Sequence, residues 1–334
     1  MMENNILQDT IRHLLNTGKG LLAMDESTAT CNKRFARLNI PETIEFRRKY
    51  RELIVTTPGL ENSISGAILF DETITQTTGE GEFFTDVLFQ KGILAGIKLD
   101  QGTIDMAGFP DEKTTEGLDG LAVRLNDYYE KGARFAKWRA VITIGKNIPT
   151  KACMDFNASV LARYAAACLQ TGIVPIIEPE VLMDGEHTMQ QCELVTRETL
   201  HVVFDKMYQH NIELSNIILK PNMILPGLDC PVQESLESIA DATVNCFLKT
   251  VPAAVPGIAF LSGGQAPELA AQRLNAMHIR FKDKMPWALT FSFSRAIQQP
   301  ALETWKGMDE NVRKAQDLLS FYAAQNCKAI RGEY

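Results

Sequence analysis

Asp25, Lys98, Lys137, Arg139, Glu178, Glu180 and Lys220 each stand at the C-terminal end of a short apolar run, where a charge is costly unless it is paired or used. Amines and carboxylates in such settings suit carbonyl chemistry. Lys220 follows Ile217, Ile218 and Leu219. An amine is a nucleophile only when neutral, and bringing a lysine from a reference pKa near 10.4 to about 7 takes roughly 4 kcal/mol. Desolvation by those apolar neighbours plus a second cation can supply it. Lys137 is the candidate cation, and Glu178, on the run between the two lysines, is the natural proton carrier. Lysine nucleophile, neighbouring lysine and carboxylate acid/base together describe Schiff-base chemistry on a carbonyl substrate.

A phosphate is expected beside that chemistry. In Leu261-Ser262-Gly263-Gly264-Gln265, leading to a helix at Pro267, the glycines let backbone N–H groups approach an anion. Arg295 sits just past the last apolar run. A lone Ser-Gly-Gly is often only a turn, so the weight lies in the architecture that would carry it.

That architecture is a strand and helix alternation repeated eight times. Short runs rich in apolar and β-branched residues lie at 20–25, 63–70, 93–99, 135–143, 173–178, 216–220, 257–261 and 287–293, with helical periodicity between them at 42–56, 117–132, 157–171, 187–210, 232–250 and 267–278. Asn157 is read as an N-cap and Gly172 as the residue closing that helix. Eight units in one chain, without G-x-G-x-x-G after the first strand, predict an α/β fold of the (β/α)8 TIM barrel type; an open doubly wound sheet is the alternative. No linker or repeat divides the chain, so residues 1–334 are expected to form a single domain with a short N-terminal helical extension.

Strand side chains alternate faces. Lys137 and Arg139 therefore share a face, as do Glu178 and Glu180 with Val174 and Ile176. Lys220 projects with Ile218 and Asn222, Lys98 with Leu94 and Gly96, and Asp25 with Leu21 and Ala23. A single lysine after an apolar strand is ordinarily a solvated strand end, and a cluster could be an ion-pair lock, though buried pairs contribute little net stability. Charges at most of the strand ends instead point to a site, because barrels assemble active sites at that face, with phosphate bound by loops seven and eight.

Composition bounds the ligand. The 334 residues are 45% hydrophobic and 22% charged with a formal net charge of -7, and no lysine or arginine block provides the basic surface that nucleic acid requires. A small ligand is expected, with no nucleic-acid or membrane partner. No apolar run reaches the roughly 18 residues of a membrane span. The N-terminus, carrying Glu3 and Asp9, has no signal or transit character. Seven cysteines without C-x-x-C spacing indicate reduced, cytoplasmic thiols, and five histidines without H-E-x-x-H leave only an all-carboxylate metal site open.

The motifs GKGLLAMDEST at 18–28, GIKLDQG at 96–102, FAKWR at 135–139, VPIIEPE at 174–180, LKPNM at 219–223, FLSGGQ at 260–265 and ALTFSFSRAIQ at 288–298 closely resemble class I fructose-bisphosphate aldolases along nearly the whole chain. The resemblance implies reversible cleavage of fructose 1,6-bisphosphate to dihydroxyacetone phosphate and glyceraldehyde 3-phosphate, in glycolysis and gluconeogenesis, without metal or cofactor. Lys220 would form the Schiff base, and Glu178 would be the acid/base, assisted by Glu180 and Lys137. Asp25 would hold the C4 hydroxyl. Arg295 with Ser262, Gly263 and Gly264 would bind the 1-phosphate, and Lys98, Arg139, Ser27 and Arg34 the 6-phosphate or sugar hydroxyls. A cytoplasmic homotetramer is implied as well.

Three departures accompany the resemblance. Ala29 and Ser294 stand where the family usually has glycine. The family's mobile tail, ending in a proton-transferring tyrosine, extends about twenty residues past the position of Tyr334, so Tyr334 is expected not to serve that role. Another Schiff-base sugar-phosphate aldolase, a transaldolase, and a catalytically silent sugar-phosphate-binding scaffold are the alternatives.

Overall fold

In a computed structural model, which describes residues 2–15 and 18–334, eight parallel strands close into a barrel. They are β1 (Gly20–Ala23), β2 (Ile64–Leu69), β3 (Leu94–Lys98), β4 (Ala133–Ile142), β5 (Val174–Val181), β6 (Ile218–Leu219), β7 (Gly257–Phe260) and β8 (Ala288–Phe293). Each pairs with its neighbours in sequence, and β8 closes on β1 through Leu21↔Ser292 and Leu22↔Phe293. All eight predicted runs become strands, and the ring excludes the open sheet. An antiparallel hairpin, Thr103–Asp105 with Lys113–Thr115, is inserted after β3. No helix among the described residues is long and apolar enough to cross a membrane.

Alternation places Leu21, Ala23, Ile68, Phe135, Val174, Ile176, Ile218 and Ala259 in one interior cluster, as the period-2 reading requires. Gly66 and Gly96 make room for Phe135: a Cβ would lie 2.9 Å from its ring at the first and 2.3 Å at the second. The same cluster takes in Leu7, Ile11 and Leu14 of the N-terminal helix Met2–Leu15. Their i, i+4, i+7 spacing puts them on one helix face, which plugs the N-terminal end of the barrel. A sealed bottom leaves the strand C-termini as the open end.

Two local expectations are corrected. The predicted helix at 157–171 begins six residues earlier, as Lys151–Gln170, and its cap is Thr150, whose side chain accepts the Cys153 N–H. Asn157 is instead a buried mid-helix residue. Its amide donates to the Lys113 carbonyl at 2.9 Å and so ties the helix to the hairpin. Gly172, with φ of 75°, does follow the helix end as expected. Asn222 does not share the inward face with Lys220. Its side chain accepts the Val181 N–H and donates to Thr196 on the outer helix Met189–Gln209, because β6 ends before Pro221 and the chain turns.

Candidate active site

At the C-terminal mouth lies a cavity of about 1330 Å³. Its walls include Asp25, Ser27, Arg34, Lys98, Lys137, Arg139, Glu178, Lys220, Ser262, Gly263 and Arg295; of the residues predicted from sequence only Glu180 and Gly264 do not line it. Alternation along β3, β4 and β5 explains the convergence, since Lys98, Lys137 and Glu178 each lie on the inward parity near the C-terminal end of their strand and Lys220 directly follows β6.

Four side chains form the floor. Lys220 Nζ lies 2.8 Å from Glu178 Oε1, Glu178 Oε2 lies 3.3 Å from Lys137 Nζ, and Lys137 Nζ lies 2.7 Å from Asp25 Oδ2. All four residues are buried. Burial raises the Glu178 pKa, but Lys137, Lys220 and Arg139 outweigh it and hold the carboxyl at about 2. Burial likewise opposes the Lys137 ammonium, yet Asp25, Glu178 and Asp100 keep its pKa above the ordinary lysine value. Glu178 is bracketed by the two lysine amines, one at each carboxylate oxygen, and these contacts lie at the base of an open cavity. An ion-pair lock alone would have no need of that opening.

The rim is built differently on its two sides. After β7, Ser262, Gly263 and Gly264 form a turn closed by the Gln265 N–H on the Ser262 carbonyl at 2.9 Å. Gly263 and Gly264 take φ of 54° and 83°, the left-handed region where glycine is unstrained. A Cβ on Gly264 would stand 3.2 Å from an Arg295 nitrogen, so the bare glycine lets the guanidinium lie against the turn. Arg295 reaches solvent in the mouth and has no ion-pair partner among the described residues. Partial desolvation, and then repulsion from Arg34 and Arg139, lowers its pKa.

On the other side every predicted cation already has a carboxylate. Lys98 pairs with Asp100, Arg139 with Glu180, and Arg34 with Glu26 at 2.6 Å. Ser27 caps the helix Thr28–Ala36 by accepting the Thr30 N–H. The turn beside Arg295 therefore faces a cation without a carboxylate partner among the described residues, whereas the opposite rim is a set of ion pairs around a helix N-terminus.

A family model described as fructose-bisphosphate aldolase class-I matches residues 6–334. The chain belongs to that family. It is 49% identical over 329 residues, 98% of each chain, to a "Probable fructose-bisphosphate aldolase class 1" of Xanthomonas campestris pv. campestris. It is also 49% identical over 317 residues to the cytosolic fructose-bisphosphate aldolase 4 of Arabidopsis thaliana, covering 95% of this chain and 80% of that one. The solved fructose-bisphosphate aldolase of Plasmodium falciparum, in a ternary co-crystal with TRAP and a small-molecule inhibitor, superposes with a TM-score of 0.97 at 43% identity and covers all of this chain and 96% of its own.

Against that class I aldolase background, the two glycine departures prove undemanding. Ala29 lies in the first turn of its helix, and Ser294 has φ of -108° and ψ of -88°, outside the left-handed region. Ser294 gains contacts instead: its hydroxyl donates to Glu26 at 2.6 Å and accepts from Gln298 at 3.3 Å. Tyr334 does not line the cavity; its N–H donates to Asn275 on the helix Pro267–Phe281.

Sequence reasoning missed three residues that line this aldolase cavity, Asp100, Glu26 and Ser292, and Arg51, which is buried behind Glu26. Asp100 lies on the parity of Lys98, two positions on, and accepts from both Lys98 and the Arg139 N–H. Glu26, next to Asp25, gathers Arg34, Arg51 and Ser294; burial opposes its charge, but the two arginines hold the carboxyl far below the usual range. Arg51 itself gave no signal, resembling any helix arginine. Ser292 follows Thr290 on the inward face of β8, lines the cavity, and its buried hydroxyl has no partner among the described residues.

Proposed function

We propose that this aldolase cleaves fructose 1,6-bisphosphate reversibly through a Schiff base on Lys220, yielding dihydroxyacetone phosphate and glyceraldehyde 3-phosphate. The observation that carries the assignment is the contact series Lys220–Glu178–Lys137–Asp25 at the bottom of a cavity rimmed by cations.

In the free site Lys220 Nζ lies 2.8 Å from Glu178 Oε1, within reach of direct proton transfer. When the C2 carbonyl enters, Glu178 takes the proton and the neutral amine attacks C2. The carbinolamine hydroxyl then leaves as water, carrying the proton that Glu178 returns, and the protonated imine forms. Asp25 accepts the proton of the C4 hydroxyl as the C3–C4 bond breaks. The bond's electron pair moves into the iminium, leaving an enamine on Lys220 and releasing the aldehyde. The enamine takes a proton at C3 from water, Asp25 gives its proton up to solvent, and attack of water on the resulting iminium releases dihydroxyacetone phosphate and regenerates the amine. Lys137, fixed as a cation between Asp25 and Glu178, stabilises both carboxylates as protons come and go. Glu180 orients Arg139.

The Ser262–Gly264 turn with Arg295 takes the 1-phosphate. Lys98, Arg139, Ser27 and Arg34 take the 6-phosphate end, where incoming phosphate must share cations with Asp100, Glu180 and Glu26. The plant relative named cytosolic supports a cytosolic setting, and the family resemblance a homotetramer.

Glu178→Gln tests the proton carrier. Turnover is expected to fall about a thousandfold with KM changed less than about threefold, because the residue acts on protons and not on phosphate. A variant with only a raised KM would make Glu178 a binding residue.

A further inference from the structure

The helix Pro267–Phe281 carries a buried cation that the mechanism does not use. Arg273 is only 8% exposed, and among the described residues no carboxylate pairs with it. Burial alone lowers its pKa, and its Nε has no hydrogen-bond partner among the described residues. An uncompensated buried guanidinium is costly, so its retention calls for a nearby use of the charge or of its donors.

Its single polar contact shows where that use lies. Arg273 Nη1 donates to Gln265 Oε1 at 2.7 Å, and Gln265 Nε2 donates to the Ser262 carbonyl at 2.9 Å. The Gln265 N–H donates to the same carbonyl at 2.9 Å. Arg273 and Gln265 are both buried, and Ser262 and Gly263 form cavity wall. A relay of two hydrogen bonds thus joins the buried cation to the turn beside Arg295.

We propose that Arg273 is a positioning residue of the phosphate site, fixing Gln265 so that it holds the Ser262–Gly264 turn in its anion-binding shape. This rests on the reading of that turn as the 1-phosphate site. The guanidinium also adds a buried positive charge behind the turn, compensated when a phosphate dianion occupies it. Gln265 is the geometric link: its carbonyl faces the cation and its amide faces the turn, an orientation that the Arg273 donor selects.

Competitive inhibition of bisphosphate cleavage by inorganic phosphate tests the proposal. In Arg273→Met the inhibition constant and KM are expected to rise about tenfold, with kcat and borohydride trapping of Lys220 within about twofold of wild type. Gln265→Leu, which leaves the charge but cuts the relay, should shift both constants in the same direction. Arg273→Lys, the mildest change, should raise the inhibition constant by about threefold, between wild type and Arg273→Met. Inhibition constants within about twofold of wild type in Arg273→Met and Gln265→Leu, with only the melting temperature lowered, would overturn the proposal and leave Arg273 a packing residue. A wild-type enzyme that inorganic phosphate does not inhibit would overturn the reading of the turn, and the proposal with it.

Discussion

Glu178 is the side chain that touches both lysines of the floor, through different oxygens at 2.8 Å and 3.3 Å. That geometry lets it take a proton from Lys220 while Lys137 keeps its own charge. It also ties the site to acid stability. The folded pKa, about 2, lies below that of an unfolded glutamate near 4.3. Its contribution to stability is therefore full above the unfolded value and is lost as pH falls from there through the folded one. In urea unfolding followed from pH 5 to pH 2, wild type should lose stability more steeply than Glu178→Gln. Equal slopes would contradict the ion-paired state assigned to this carboxylate.

At the scale of elements, the strands deliver charges and the loops deliver phosphate contacts. The loop contribution is testable at Gly263, whose φ is 54° and whose added Cβ would come within 2.5 Å of Met183 Sδ. Gly263→Ala is expected to raise KM about fivefold while kcat stays within about twofold, since it strains the turn and leaves the floor intact. Steady-state kinetics decide this, and a kcat-only defect would contradict it. Strand residues were legible in the sequence because a period of two and a terminal charge survive without knowledge of neighbours: Lys98, Lys137, Glu178 and Lys220 all arrive where parity sends them. What was not legible depends on partners distant in the chain. Glu26 matters through Arg51 and Ser294, which lie 25 and 268 residues away. Asn222 could not be placed by parity once the chain turned after β6, and the start of the helix at Lys151 was missed because Asn157, read as a cap, is a mid-helix residue whose amide is used by the distant Lys113 carbonyl.

On the scale of the whole molecule, one end of the barrel is plugged and the other holds the site. Leu14 in the plug is fully buried, and the Leu14 carbonyl accepts the Ser65 hydroxyl at 2.9 Å. Leu14→Ala should cost about 2–5 kcal/mol in urea unfolding, with kcat and KM within about twofold at 25 °C, because the cavity it opens is at the far end from the mouth. Lost activity without lost stability would show that the two ends are not separable. The chain carries a formal net charge of -7, yet the mouth exposes Arg295, and the Glu26 carboxylate in its wall is matched by Arg34 and by the buried Arg51 behind it, so the local field and not the total charge suits a phosphorylated sugar. The central claim is that Lys220 is the covalent residue, and reducing the enzyme with borohydride in the presence of dihydroxyacetone phosphate, followed by peptide mapping, addresses it directly. The account predicts one stoichiometric label, on the peptide containing Lys220 and absent from Lys220→Met; a label on Lys137 or Lys98, or none, would contradict it.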